Sequence, residues 1–180
     1  NMAEIVSTLE KFQTGEEPIN DAGIDLQIAE LFNLNGDKEK SQQRAKKALQ
    51  AFNKQALNNA NSDNNRNSVL YYLQMMYVSC LANDQASYDQ SAEKYHSINN
   101  SEFISKYWQE LNYSLAIAAC GDTEKAWKML SSQLGQPMSI ITEWSLALDP
   151  LHQHYFSELP EYQAMVKRLN ENKANQETLE

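Results

Sequence analysis

Between Leu115 and Gly135 the chain reads LAIAACGDTEKAWKMLSSQLG: an apolar helical stretch, a Gly-Asp stop, then a second amphipathic stretch. This alternation of helix-spaced apolar residues and short stops recurs along the sequence, and no other feature limits the fold as strongly. Met2, Ile5, Val6, Leu9 and Phe12 share one helix face, which predicts a helix over 2–13 that TGEEP then breaks. A second helix is expected from Asn20 or Asp21, carrying Ile24, Ile28, Leu31 and Phe32 to a stop at Asn35-Gly36. The third runs from Asp37 to near Leu57, with Ser41, Ala45, Ala48, Leu49, Phe52 and Ala56 on one face. The tract NNANSDNNRNS follows, where Asn and Asp favour a mobile turn by bonding their own backbone. Ser68 is expected to cap the next helix, which over 69–82 is apolar nearly all round and therefore belongs between neighbours.

The second half repeats the pattern. Residues 85–98 form a helix with Tyr88, Ala92 and Tyr95 inward, and Ser101 opens a longer one to Cys120 through Ile104, Trp108, Leu111, Leu115 and Ala118. Gly121 ends it, and Asp122 caps a helix to about Leu134. Pro137 is expected to open a helix carrying Ile141, Trp144 and Leu148. Asp149-Pro150 and Pro160 start two more, the last through Tyr162, Met165, Val166 and Leu169, with a polar, frayed tail beyond Asn170. No stretch alternates as a strand does, so the expected class is all-α.

Composition agrees with that class and excludes others. Five Gly and four Pro in 180 residues are few for strands and tight turns. A net charge of −9 argues against nucleic acid, which needs clustered cations. The longest apolar run, VLYYLQMMYVSCLA, is about 14 residues and too short to span a bilayer. Cys80 and Cys120 lie in apolar helical stretches and are expected to be free, buried thiols, because packed helix axes stand about 8–10 Å apart and a disulfide needs closer Cα atoms. Asn1 precedes Met2, and the final Leu179-Glu180 is a pair often left where a purification tag joins. No signal peptide is visible.

Two stretches align on their Gly-Asp pairs, LQIAELFNLNGDKEKSQQRAKKALQ and LNYSLAIAACGDTEKAWKMLSSQLG. Small residues fall at Ala29 and Ser114 and again at Ser41 and Ala126; apolar ones fall at Phe32 and Ile117 and at Ala45 and Leu130. Small positions let antiparallel helices approach, and large ones fill the gap. The pattern resembles the tetratricopeptide repeat, with GDKEKSQQRAKKAL the nearest stretch. Asn83-Asp84 is the intervening turn, with Met76 and Tyr88 where small residues are expected, so the repeat is degenerate. LDPLHQHYFSELPEYQAMVKRL is similar to the segment that closes such regions in many bacterial multidomain signalling proteins, including membrane-anchored winged-helix regulators; the matching residues are Asp149, Pro150, Phe156, Leu159, Pro160 and Tyr162. The resemblance implies stacked antiparallel helix pairs forming a right-handed superhelix with a C-terminal cap. The chain then divides into an N-terminal helix at 1–18, helix pairs at 19–136, capping helices at 137–170 and a tail with tag remnant at 171–180. In that cap, Trp144, Phe156, Leu159 and Tyr162 are expected to cover the edge left by the helix at 122–134.

Candidate sites are few. His152-x-His154 places two rings on roughly opposite sides of a helix, whereas zinc pairs on helices stand four apart, so no metal is expected. His96 lies on a polar helix end and reads as a surface residue. SDNN at 62–65 lacks the central Gly and terminal Glu of a calcium loop. Lys40, Arg44, Lys47 and Lys54 form a basic stripe that reads as the solvated back of a helix, with an acidic partner or lipid surface as the alternative. VLYYLQMMYVSC reads as core, with a ligand groove as its alternative. No nucleophile elbow, phosphate loop or dinucleotide fingerprint occurs, and no cofactor is expected.

The leading functional expectation is therefore a non-catalytic protein–protein interaction or sensory module, a fragment of a larger bacterial regulatory protein. Its partner is expected to be a protein or peptide segment, or a neighbouring domain of the same chain. The surface expected to hold it is the face of each pair's first helix, with Gln27, Glu30, Gln74, Gln109 and Asn112 as its polar members. The alternative is a self-associating scaffold using helix 2–13 or 69–82, and a helical enzyme is the least favoured reading. The compartment is open: cytoplasmic, or periplasmic if the fragment comes from a membrane-anchored regulator.

Overall fold

The computed structural model describes residues 2–14, 22–58, 65–98, 106–136, 139 and 141–177. It is all-helical, with no strand among these residues. Two units divide it, Asn1–Ile104 and Ser105–Glu180.

The first unit holds α1 (Met2–Thr14), α2 (Ala22–Leu34), α3 (Lys38–Asn58), α4 (Asn65–Ala82) and α5 (Gln85–Ser97). α2 packs on α3, α3 on α4 and α4 on α5, while α2 also reaches α4 and α1 rests on α2. The core is built from the faces that the apolar spacing marks: Ala29, Ala45, Ala48, Leu49 and Phe52 are buried, as are Val69, Leu73, Met76 and Val78 on α4. α4 begins at Asn65, three residues before Ser68, so Ser68 is not its cap. Residues 59–64, the centre of the expected mobile tract and most of the SDNN stretch, lie outside the described residues.

The turns between paired helices share one geometry. Gly36 has φ +79°, and the Asp37 amide reaches back to the Phe32 carbonyl at 2.9 Å. In the next pair Asn83 takes the left-handed conformation at φ 56°, and Asp84 bonds the Ser79 carbonyl at 2.9 Å. This is the helix-ending bond that a left-handed residue permits, and Asn tolerates it after Gly. Each aspartate then accepts from the amide three residues on, Lys40 at 3.2 Å and Ser87 at 3.1 Å. Thus Asn83-Asp84 does the work of Gly36-Asp37. Its size pattern is reversed, because Met76 and Ser79, both fully buried, stand where Ala29 and Phe32 stand in the first pair. One large and one small residue are kept in either order, a swap that preserves volume.

The second unit holds α6 (Lys106–Ala119), α7 (Thr123–Ser131), α8 (Glu143–Leu148), α9 (Pro150–Phe156) and α10 (Pro160–Glu177). α6 and α7 are joined by the same turn: Gly121 has φ +98°, Asp122 bonds the Ile117 carbonyl at 3.2 Å, and its carboxylate caps α7 through Lys125. Asp149 ends α8 and caps α9, accepting from Leu151 and His152, with Pro150 in the first turn. Pro137 lies outside the described residues, and Ile141 precedes α8 instead of lying within it. The helix starts at Glu143 because Thr142 and Ser145 form a reciprocal capping box there.

Phe156 is the centre of this unit's core, 0% exposed. Its ring lies 5.7 Å from that of Trp127 and 6.3 Å from that of Tyr162, whose hydroxyl donates to the Leu146 carbonyl at 3.0 Å. Leu159 packs against the same cluster. Trp144 does not join them. It is 44% exposed, because the capping box puts Leu146, not Trp144, on the inward side of the short α8.

Candidate functional site

The residues expected to bind a partner divide between the two units. In the first, α2 and α4 touch, and they carry Gln27 and Gln74, both exposed, with Glu30 half-buried on α2. In the second unit α6 carries Gln109 and Asn112. Gln109 is 8% exposed, and the Asn112 amide donates to the Trp108 carbonyl of its own helix at 2.9 Å.

The basic stripe of α3 does not survive as a uniform cationic face. Arg44 turns inward, bonding Asp25 at 3.0 Å, Gln13 at 3.1 Å and Glu10. Asp25 is only 6% exposed, so the guanidinium supplies the partner a buried carboxylate needs, and its fork ties α1 and α2 to α3. Lys40 bonds Asp37 at 2.7 Å and lies over the Phe32 ring at 5.4 Å. That contact holds the Asp37 carboxyl below its usual range and raises Lys40. Lys46, Lys47 and Lys54 remain exposed. Beside Lys46 an open groove of about 450 Å³ runs between α3 and the α4–α5 turn. Asp84 lies in it, held below the usual carboxylate range by the Ser87 amide and hydroxyl. Gln42 closes one end of α4 by donating to the Ala82 carbonyl at 3.2 Å.

A second open groove, about 630 Å³, lies along α10 between Tyr162, Val166, Asn170 and Ala174. Burial raises the pKa of Tyr162, with the Asp149 charge adding to it, and burial likewise raises Tyr71 and Tyr113. These phenols are thereby held neutral, as structural tyrosines are.

The two histidines of His152-x-His154 part company. His152 is buried and stacked on Phe156, while His154 is exposed, its ring edge-on to Tyr155. No group of three or more His, Cys, Asp or Glu positioned for a metal occurs among the described residues. Nor is any described helix long and apolar enough to cross a membrane.

Cys80 and Cys120 are both disulfide-bonded, which overturns the expectation of two free thiols. Helix-axis spacing bounds Cα separation only within packed helices, and Cys120 lies beyond the end of α6 at Ala119.

No family model, curated protein or solved structure matches the chain. The arrangement offers exposed amides, Gln27 and Gln74, on adjoining helices, while Asp37, Asp84, Asp122 and Asp149 are engaged as helix caps.

Proposed function

We propose that this chain is a tetratricopeptide-like interaction module, without catalytic activity of its own, that holds a protein segment or a neighbouring domain. The observation that carries the reading is α2 meeting α4 in the first unit. Each is the opening helix of a pair closed by a Gly-Asp or Asn-Asp turn, and each exposes an amide, Gln27 or Gln74. Amides donate and accept without demanding a charge, which suits the backbone of an extended segment. Arg44 is engaged inward, which counts against the basic stripe as the docking face. The extension to a bacterial regulatory protein rests on the Asp149-Pro150 to Tyr162 pattern.

Selection of peptides from a random library on the intact, oxidised chain provides a ligand for the test. Replacing Gln27 and Gln74 together by Ala should weaken the selected peptide about tenfold or more while leaving the melting temperature nearly unchanged. Unaltered binding that falls steeply with salt would move the site to Lys46, Lys47 and Lys54 instead.

The bonded cysteines support an oxidising compartment, the periplasmic alternative of the two open from sequence. Denatured, unreduced protein should show no titratable thiol, and reduction should release those of Cys80 and Cys120. Two thiols before reduction would remove the argument.

Self-association is the second reading, and one observation favours it: Ile5 and Phe12 on α1 are half exposed. The apolar α4 does not offer such a surface, since Leu73, Met76 and Val78 lie in the unit's own core. A mass that rises with concentration in light scattering, and that Phe12→Ser returns to the monomer value, would favour this reading over partner binding.

A further inference from the structure

The core of the second unit buries an ionisable ring with little to hold its charge. His152, in the first turn of α9, is 4% exposed, and neither Nδ1 nor Nε2 has a hydrogen-bond partner. The ring stacks on Phe156 with centroids 6.1 Å apart and planes 14° apart. α9 packs against α6, α7 and α8. Described charged or titratable side chains on those elements are Glu110 and Tyr113 on α6, Glu124, Lys125 and Lys128 on α7, and Glu143 on α8. On α10, Tyr162 approaches through Phe156. None of these bonds the imidazole. The group that acts on it is the Asp149 carboxylate, 3.6 Å from Nδ1, beyond hydrogen-bond reach and already accepting from the Leu151 and His152 amides.

We propose that His152 is an acid-sensitive pin in the C-terminal closure: taking up a proton loosens α9 from α6 and α7 and uncovers the apolar surface around Phe156 and Trp127. A neutral imidazole behaves here as one more flat ring. An imidazolium in the same place loses its hydration, and among the described residues one partly engaged carboxylate, Asp149, answers it. Burial holds the His152 pKa below its usual 6.5, with Asp149 opposing part of that shift. Above 6.5 the ring is neutral folded or unfolded, and the closure carries no penalty. As the pH falls below that value the unfolded chain binds a proton that the folded one resists, so stability declines. The loss levels off below the folded pKa, where both states are protonated.

The experiment is thermal melting of the oxidised full chain from about pH 7.5 to about pH 5, with NMR titration of the His152 ring. Wild type should lose about 3 °C or more beyond the loss seen in His152→Phe, which keeps a stacked ring but cannot titrate. Asp149→Asn keeps the cap yet removes the opposing charge, so its acid loss should exceed that of wild type. Binding of a hydrophobic dye should rise on acidification in wild type and not in His152→Phe. The ring of His152 should titrate below 6.5. If His152 titrates at or above 6.5, or if wild type and His152→Phe lose stability equally, the proposal is overturned. Should His152→Phe fail to fold, the wild-type ring titration decides alone by the same criterion.

Discussion

Among the described residues Asp25 is a buried acid in the first unit and His152 a buried base in the second, and the two are treated in opposite ways. Asp25 in the first unit meets Arg44 at 3.0 Å, and the same guanidinium reaches Gln13 and Glu10. His152 in the second unit meets the face of Phe156 and has no hydrogen bond. A charge kept inside a protein must be answered by an opposite charge with good geometry; a group left unanswered is tolerated only in its neutral form. The contrast follows from what surrounds each site. α1 to α3 bring polar side chains to a shared edge, whereas α7, α9 and α10 bring Trp127, Phe156 and Tyr162 together, and an aromatic cluster can hold a neutral imidazole but not a cation.

The largest effect that would sharpen this contrast is Phe156→Ala. The ring is fully buried at the centre of the second unit, so its loss should cost about 3–5 kcal/mol, measured by denaturant unfolding. A cost under about 1 kcal/mol would mean that the aromatic closure is not what holds this unit. Next comes Arg44→Met, which strands Asp25 without its cation and should cost about 2–4 kcal/mol, toward the low side because Glu10 is half exposed. Adding Asp25→Leu to it should recover much of that loss, since a pair replaced by apolar side chains leaves no orphaned charge. If the double variant is no better than the single, the pair is not the unit of interaction. The smallest effect tests the rule for uncharged groups. Ser79 Oγ is buried without a partner, and Ser79→Ala should lie within about 0.5 kcal/mol of wild type or slightly above it.

What was legible in the sequence was local. Gly36-Asp37, Gly121-Asp122, Asp149-Pro150 and Pro160 mark helix ends by backbone rules that act over a few residues, and those ends appear where expected. Asn83-Asp84 looked irregular by side-chain size, yet its backbone repeats the glycine turns, because Asn shares the left-handed region. Features set by distant partners were not legible. Arg44 read as solvated because helical spacing locates a face but not an acid 34 residues away on α1. Trp144 read as buried because Pro137 looked like the start of its helix; the Thr142–Ser145 box sets a later one, and it uses Ser where the familiar pattern has Glu or Gln. Asn112 sits on the expected helix, but its amide bonds the turn beneath it, a choice between backbone and surface that spacing does not encode. The oxidised cysteines are not legible in the sequence, because pairing depends on where Cys120 lies beyond the end of α6 and not on helix register.

Hydrogen exchange read by mass spectrometry tests the proposed binding face most directly. The chain would be compared free and saturated with a library-selected peptide. Protection should concentrate on the exposed face of α2 and α4 around Gln27 and Gln74, with little change along α3. Protection centred instead on α3 around Lys46, Lys47 and Lys54, with α2 and α4 unchanged, would contradict it.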